Sequence, residues 1–224
     1  MALVQRPSPS SLAVHWALDP KVVQLNHGSF GATPRLVLER QQRLRLELEA
    51  DPTGFFLRRM PGLLERSLEA LAAFVGADPG DLALVANATT GVNTVLRSLE
   101  LGPGDEVLLT DHEYPACRNA VLELCRATGA LPVVAPLGFP IGCEDEVVAA
   151  VADGLGERTR LLLLDHVTSP SGLVLPVARI AAEARARGVP VLVDGAHAPG
   201  MVELDVATLG VDWYTGNCHK WLCA

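Results

Sequence analysis

The sequence predicts an α/β fold, with a mainly parallel sheet covered by helices on both faces. From about residue 76 onward, short apolar runs of strand length alternate with longer helical stretches. Hydrophobic residues make up 49% of the 224 residues and aromatic residues only 4%, a balance common in proteins whose strands are buried on both faces. This composition supplies ample material for a large core.

The N-terminal part of the chain predicts an arm and helices rather than a sheet. Residues 1–24 carry prolines and serines without periodicity, so we expect an irregular arm. Thr33 and Pro34 suit the N-cap and the first position of a helix. A second helix is predicted to end at Gly76, since glycine readily adopts the left-handed turn that closes helices. We assign residues 1–75 to this part.

The remaining residues, 76–224, are predicted to form one incomplete large domain. Apolar runs predict strands at residues 82–86, 106–110, 131–135, 160–167 and 189–195. The intervening segments are long enough for helices that cross over the sheet, near residues 89–100, 115–129, 144–154 and 176–188.

The overall charge argues against nucleic acid as a partner. The net charge of -8 and the isoelectric point near 5.2 would repel a phosphate backbone, and no basic cluster interrupts this pattern. The apolar runs are too short to cross a membrane, and prolines occupy the positions where a signal peptide would need its apolar core. We therefore expect a soluble, cytoplasmic protein.

The five cysteines show neither a disulfide framework nor a zinc-ribbon spacing, which suits a reducing compartment. Cys218, His219 and Cys223 are close together in the sequence and could suggest metal ligands. A tetrahedral site needs further ligands, and no second CxxC or HxxxH pattern supplies them. We expect no metal site.

A candidate phosphate-binding turn follows the first predicted strand of the domain. Ligands of open α/β sheets bind at the carboxyl ends of the strands. Ala88, Thr89 and Thr90 begin a predicted helix there, and the free N–H groups and positive dipole end of a helix favour an anion. The alternative is that Thr89 or Thr90 only caps the helix.

Other candidate ligand-binding residues also follow strands. Asp194 ends a buried run, where a carboxylate needs a partner such as a protonated pyridine nitrogen, although a structural cap would also explain it. His197 and Ser169 could contact an oxygen of the same ligand, or be ordinary structural residues. Tyr114 could stack on a flat cofactor, or belong only to a turn.

Lys220 lies in the string YTGNCHKW near the end of the chain. An amine buried among Trp213, Tyr214 and Trp221 tends to lose its proton, and the neutral amine is the nucleophile that forms a Schiff base. A lysine beside tryptophans can instead extend along the surface into solvent. The phosphate turn, Asp194 and Lys220, in this order, together predict pyridoxal 5'-phosphate as the cofactor.

The chain resembles the class V aminotransferase family of pyridoxal-phosphate enzymes, which share the fold type I architecture. The strings that carry the resemblance are LNHGSFGATPR, NATTGVNTV, DHEYPA, HVTSPSGLVLPV, VDGAHAPG and YTGNCHKWLCA. Each string alone is weak, but their order is specific. The isopenicillin N epimerase-like branch of the family is the most similar.

The resemblance implies a role for each matching residue. Lys220 would form the Schiff base, and Asp194 would pair with the pyridine nitrogen. The further cofactor-binding residues that it implies are Ala88 and Thr89 at the phosphate, His219 also at the phosphate, Tyr114 on the ring, and His197 at the phenolic oxygen. Two residues depart from many relatives: Ser169 replaces asparagine and Asn217 replaces serine, but both keep a hydrogen-bonding group.

The resemblance also implies a longer protein. Family members continue through a smaller C-terminal domain, which carries the arginine that binds the substrate carboxylate. We therefore expect a C-terminally truncated member that lacks this domain, and a homodimer for the intact form.

The expected function is PLP-dependent chemistry on an amino acid or an amino-acid-derived substrate, through Lys220 and of the epimerase or aminotransferase type. One alternative is a C–S lyase of the cysteine desulfurase type, although none of the five cysteines matches the loop cysteine of desulfurases. An alternative of another class is a non-catalytic truncated fragment or docking module.

Overall fold

The computed structural model describes residues 10–224, so the part of the predicted arm before residue 10 lies outside the described residues. The chain divides into two compact units. The first unit comprises Met1–Arg66 and Cys218–Ala224, and the second comprises Ser67–Asn217.

The first unit is helical where the structure describes it. A short 3-10 helix, Ser11–His15, lies in the segment predicted to be irregular, so that prediction is wrong for these residues. Helices α1 (His27–Phe30), α2 (Arg35–Ala50) and α3 (Pro52–Gly54) follow, and a π-helical turn, Phe55–Arg59, leads into α4 (Met60–Val75).

The start of α2 differs from the prediction. Pro34 is the N-cap, with an extended backbone (φ -60°, ψ 149°), so Thr33 does not cap the helix. Trp16 holds the preceding loop instead: its Nε1–H donates to the Ala32 carbonyl at 2.9 Å, and its own carbonyl accepts from Arg35 Nε at 3.1 Å. These two bonds fix the loop before α2, and among the described residues no side chain caps the first turn of the helix.

Helix α4 confirms the second predicted helix. It is followed by Gly76, whose φ of 67° is the left-handed conformation expected at that position. A domain boundary after Val75 stays a prediction. Between residues 10 and 224, no helix combines the length and the apolar character that crossing a membrane requires.

The second unit contains a five-stranded parallel sheet with the strand order β2-β1-β3-β4-β5. The strands are β1 (Glu106–Thr110), β2 (Leu131–Ala135), β3 (Thr159–Asp165), β4 (Val191–Gly195) and β5 (Trp213–Gly216). The helices are α5 (Ala88–Ser98), α6 (Pro115–Thr128), α7 (Glu144–Gly154), α8 (Val177–Ala186) and α9 (Val206–Leu209).

Helices cover both faces of this sheet, as the sequence predicts. Alternate strand residues point to opposite faces, so the apolar strands feed two separate cores. Helices α5 and α6 pack on one face, against Val107, Leu109, Leu161, Leu163 and Leu192. Helices α7 and α8 pack on the other face, against Leu108, Leu162, Leu164, Val191 and Val193.

Residues 82–86 do not form the strand that the sequence predicts. Leu84 and Val85 are exposed, and within the described part of the chain this segment pairs with no strand. An apolar run becomes a strand only where a neighbouring strand can accept its backbone hydrogen bonds.

Candidate active site

The strand order identifies the edge of the sheet where a ligand would bind. The chain leaves β1 for β2 on one side and then returns to β3 on the other side of β1. Ligands of open parallel sheets bind outside the carboxyl ends of the strands, at such a reversal point. In this chain, Glu113 follows β1 and Asp165 ends β3, while Asp194 lies near the end of the adjacent strand β4.

The first turn of α5 carries the predicted phosphate-binding residues. Asn87 is the N-cap, and its Oδ1 accepts from the Thr90 N–H at 2.8 Å and from the Thr90 hydroxyl at 3.1 Å. The predicted alternative, a cap by Thr89 or Thr90, is therefore wrong. The Ala88 N–H donates to Asn217 Oδ1 at 2.9 Å. In residues 10–224, no acceptor is found for the Thr89 N–H, so this amide remains available to an anion.

Strand β5 and the residue after it fix this turn in place. The Thr215 hydroxyl donates to the Ala88 carbonyl at 3.2 Å, so residues 215 and 217 hold both backbone groups of Ala88. A Cβ atom on Gly91 would lie 2.3 Å from Thr215 Oγ1, so only glycine allows this close approach.

We predict that Gly91→Ala destabilises the chain, although alanine normally favours a helix by about 1 kcal/mol. The clash with Thr215 should outweigh that gain and lower the free energy of unfolding by about 1–3 kcal/mol, measured by urea denaturation. Gly62→Ala in α4 is the matched control, since its Cβ would meet only the mobile end of Arg66 at 3.4 Å. Equal losses in both variants would contradict the assignment of a special contact at Gly91.

Asp194 is almost fully buried, with 1% of its surface exposed. Its Oδ1 accepts from the Ala196 N–H at 2.9 Å, and its Oδ2 accepts from the Cys117 thiol at 3.1 Å. Both bonds stabilise the ionised form of the carboxyl group. The charge of Asp194 and burial together raise the pKa of the Cys117 thiol, burial being the larger cause, so the sulfur keeps its proton and acts as a donor.

Glu113 brings a second carboxyl group to the same place. The ligand atoms of Glu113, Cys117 and Asp194 all lie within 4.8 Å of one another, and all these side chains are buried. Burial raises the pKa of Glu113 well above its ordinary value, and the charges of Asp165 and Asp194 raise it further. The Tyr114 N–H lowers the pKa of Glu113, but by less than any of these three causes raises it.

His166, which follows β3, and Tyr214, within β5, form a second polar pair. The Tyr214 hydroxyl and His166 Nδ1 lie 2.8 Å apart. Burial lowers the pKa of His166, so the neutral imidazole is favoured, and burial followed by the charge of Asp194 raises the pKa of Tyr214. A Cβ atom on Gly195 would lie 2.2 Å from the Tyr214 hydroxyl, so the phenol ring needs a glycine at the end of β4.

The other predicted residues of the second unit occupy the loops after the strands. Tyr114 is the N-cap residue of α6 and is 39% exposed. Ser169 is exposed, and none of the described residues forms a hydrogen bond with its hydroxyl; the loop is held instead by Thr168 and Ser171, whose hydroxyl oxygens lie 2.8 Å apart. His197 is half-buried in the turn after β4.

The remaining predicted residues, His219 and Lys220, belong to the first unit. His219 is exposed and Lys220 is half-buried. The backbone of this segment lies against Gly31: a Cβ atom on Gly31 would be 2.8 Å from the His219 carbonyl oxygen and 3.5 Å from that of Lys220. A glycine of the N-terminal string LNHGSFGATPR thus makes room for the lysine segment.

Sequence reasoning missed Glu113, Asp165 and Cys117 as neighbours of Asp194. A signal for two of them was available, because Glu113 and Asp165 lie at carboxyl ends of predicted strands, as Asp194 does. Cys117 lies in the first turn of the helix that follows β1. Among the described residues, the metal-capable group consists of Glu113, Cys117 and Asp194, whereas the sequence had drawn attention to Cys218, His219 and Cys223.

Comparison with known proteins identifies the family. The aminotransferase class-V family model matches residues 56–224, and the chain belongs to this family. The isopenicillin N epimerase of Streptomyces clavuligerus is 44% identical over 207 residues, which are 92% of this chain and 52% of that protein. The putative L-cysteine desulfhydrase 1 of Oryza sativa subsp. japonica is 35% identical, over 89% of this chain and 45% of that protein.

The solved structures agree with the fold. A variant of C-DES, with glycine covalently linked to the PLP cofactor, aligns with a TM-score of 0.80 at 33% identity. The alignment covers 88% of this chain and 52% of that one. The chain spans about half the length of the curated relatives that it matches. The recognised family and the predicted fold class are therefore confirmed.

The second unit offers groups that suit pyridoxal 5'-phosphate. The cofactor carries a phosphate, and α5 presents the Thr89 N–H at the positive end of its dipole. The cofactor also carries a pyridine nitrogen, and Asp194 is a buried carboxylate held in its ionised form by two donors. The residues present therefore fit the group.

Proposed function

We propose that the chain is part of an enzyme that acts on an amino acid or an amino-acid-derived substrate through Lys220. Its cofactor is pyridoxal 5'-phosphate, as family membership and the PLP-bound structural neighbour support. The single observation that carries the proposal is Asp194, a buried carboxylate at the carboxyl end of β4 with two hydrogen-bond donors. Such a group suits a cationic ring nitrogen better than it suits a core.

The other residues have distinct proposed tasks. The Thr89 N–H and the first turn of α5 hold the phosphate, and His219 assists there. Asn217 acts indirectly, since it anchors Ala88 and so fixes the turn. Thr90 serves the same turn through its two bonds to the N-cap residue. Tyr114 lies against the ring, and His197 and Ser169 serve the phenolic oxygen.

When bound, the cofactor withdraws electrons from the α-carbon of an amino acid. The chain must then move a proton at that carbon. We propose that Lys220 would carry the cofactor on its Nζ atom. Once the substrate has displaced this amine from the cofactor, Nζ would remove and return the proton. Asp194, a buried carboxylate with two hydrogen-bond donors, would hold the protonated ring nitrogen of the bound cofactor.

The fate of the substrate separates the candidate activities. Return of the proton to the opposite face gives epimerisation, and transfer of the amine gives an aminotransferase. Loss of a sulfur-bearing group from the β-carbon gives a C–S lyase, the activity named for the desulfhydrase relative. Inversion of the α-carbon, measured by chiral chromatography of the amino acid, reports the first class, and sulfide released from cysteine reports the last.

We further propose a cytoplasmic homodimer for the intact protein, without nucleic acid as a partner. The acidic net charge of -8 supports the last point. A non-catalytic fragment that only binds the cofactor is the remaining alternative, and it predicts cofactor attachment without α-proton exchange.

The decisive experiment uses the small number of amines in this chain. Its only lysines are Lys21 and Lys220, so borohydride reduction of the cofactor complex followed by peptide mapping has a built-in control. We expect the reduced cofactor on Lys220, its loss in Lys220→Ala, and its retention in Lys21→Ala, where an exposed lysine is removed. A label on Lys21, or no label, would show that the proposed attachment site is wrong.

A further inference from the structure

The buried carboxyl groups at the ends of β1, β3 and β4 would repel one another if all of them were ionised. The proposed function does not explain how this repulsion is avoided. Asp165 and Asp194 are register partners on adjacent parallel strands, so their side chains point to the same face of the sheet. Glu113 reaches to within 4.8 Å of Asp194 from the loop after β1. All are at most 4% exposed, and like charges so close in a buried place cannot all remain ionised.

The hydrogen bonds indicate which group carries a proton. Asp194 accepts from Ala196 and Cys117, so its ionised form is stabilised. Neither oxygen of Glu113 has a hydrogen-bond partner with good geometry within the described part of the chain, so an ionised Glu113 would be a buried, uncompensated charge. Burial accordingly raises the pKa of Glu113.

Asp165 provides an acceptor for that proton. It affects Glu113 both through its charge and as a hydrogen-bond partner. Two ionised carboxylates offer only acceptors, so the contact becomes a hydrogen bond only when one of them is protonated. The Cys117 thiol on α6, which keeps its proton, and Asp194 on β4 also face Glu113.

We propose that Glu113 is a positioning residue that stays protonated at neutral pH, donates its proton in a hydrogen bond to Asp165, and thereby leaves Asp194 ionised for the cofactor ring. The role of Asp194 toward the cofactor ring rests on the proposed function, whereas the protonation of Glu113 does not. Glu113 acts on the cofactor only through its neighbours.

A metal ion would be another way to balance these charges, but the geometry favours the proton. A metal ion held by all three of Glu113, Cys117 and Asp194 would require Cys117 as a thiolate. Cys117 instead donates its S–H to Asp194 at 3.1 Å, and burial together with the carboxyl groups opposes the loss of that proton.

Infrared spectroscopy of the cofactor-free chain tests the proton directly. We expect a protonated-carboxyl C=O band at neutral pH that shifts when glutamate is labelled with carbon-13 at its side-chain carboxyl. The band should vanish in Glu113→Gln and persist in Glu123→Gln, which removes an exposed glutamate of α6 paired with Arg126. Absence of a glutamate band in the labelled wild type would overturn the proposal, even if the Glu113→Gln chain failed to fold. Persistence of the band in Glu113→Gln would overturn it as well.

Cofactor affinity tests the positioning role. Glutamine can still donate to Asp165, so Glu113→Gln should bind pyridoxal 5'-phosphate much as the wild type does. Leucine fills similar space without a donor, so in Glu113→Leu the buried Asp165 loses the proton donated to it, the charges around Asp194 are no longer balanced, and cofactor binding should weaken roughly tenfold. Equal affinities for the two variants would overturn the role. Failure of the proposed function would appear separately, as a missing borohydride label on Lys220 in the wild type.

Discussion

Replacing Asp194 with asparagine is expected to weaken pyridoxal 5'-phosphate binding by roughly 10²–10⁴-fold, because breaking a buried ion pair costs about 3–5 kcal/mol. Asparagine keeps an oxygen that can accept the Ala196 N–H, so the turn after β4 should survive. The loss should therefore appear in an absorbance titration with the cofactor, while the circular dichroism spectrum stays unchanged.

Asp212→Asn is the matched control for this prediction. Asp212 also caps β4, but at its opposite end, where its carboxylate accepts from the Val191 N–H at 2.8 Å. The amide oxygen of asparagine can replace that acceptor, so cofactor affinity should not change. If Asp194→Asn bound the cofactor as tightly as the wild type, Asp194 would be a structural residue and not the partner of the ring nitrogen.

The second large effect is expected in the pH dependence of stability. Relative to wild type, the free energy of unfolding of Glu113→Gln should rise by about 1.4 kcal/mol per pH unit, starting just above the ordinary glutamate pKa of about 4.3. The pKa of Glu113 is raised in the folded chain, so the unfolded wild type releases this proton first. The contribution of Glu113 to the free energy of unfolding of the wild type is therefore fully present below the ordinary glutamate pKa. It is lost as the pH rises toward the raised pKa of the folded chain.

Urea denaturation at several pH values measures this difference. His166 works in the opposite direction, since burial lowers its pKa and its contribution is lost as pH falls through the folded pKa. It acts equally in both chains, so the difference between them isolates Glu113. Glu123→Gln should run parallel to wild type, and a difference for Glu113→Gln that did not change with pH would contradict the raised pKa.

The sequence predicted most of the second unit because its strands are buried on both faces. Strands β1 and β2 have the predicted bounds, and the four helices predicted as crossovers lie where the pattern placed them, although α5 precedes the first strand and so connects no two strands. Strand β5 was missed, since WYTG is short and ends in glycine. Residues 82–86 show the opposite error, because an apolar run does not reveal whether a neighbouring strand exists.

The site was predictable only as a set of strand ends. Asp194 and Ala88 could be selected one by one, but not their partners, because sequence order does not give strand order. Glu113 lies beside Asp194 only because β3 and β4 lie on the side of β1 opposite to β2. The roles of these residues with the cofactor stay predictions.

The anchoring of Ala88 has a consequence for biosynthesis. Its two partners, Thr215 and Asn217, follow it by 127 and 129 residues. Because the N-terminal part of a chain leaves the ribosome first, helix α5 emerges long before the residues that fix its first turn. Competence to capture a phosphate should arise late in translation, after β5 joins the sheet, so a nascent polypeptide stalled before residue 215 should fail to retain the cofactor.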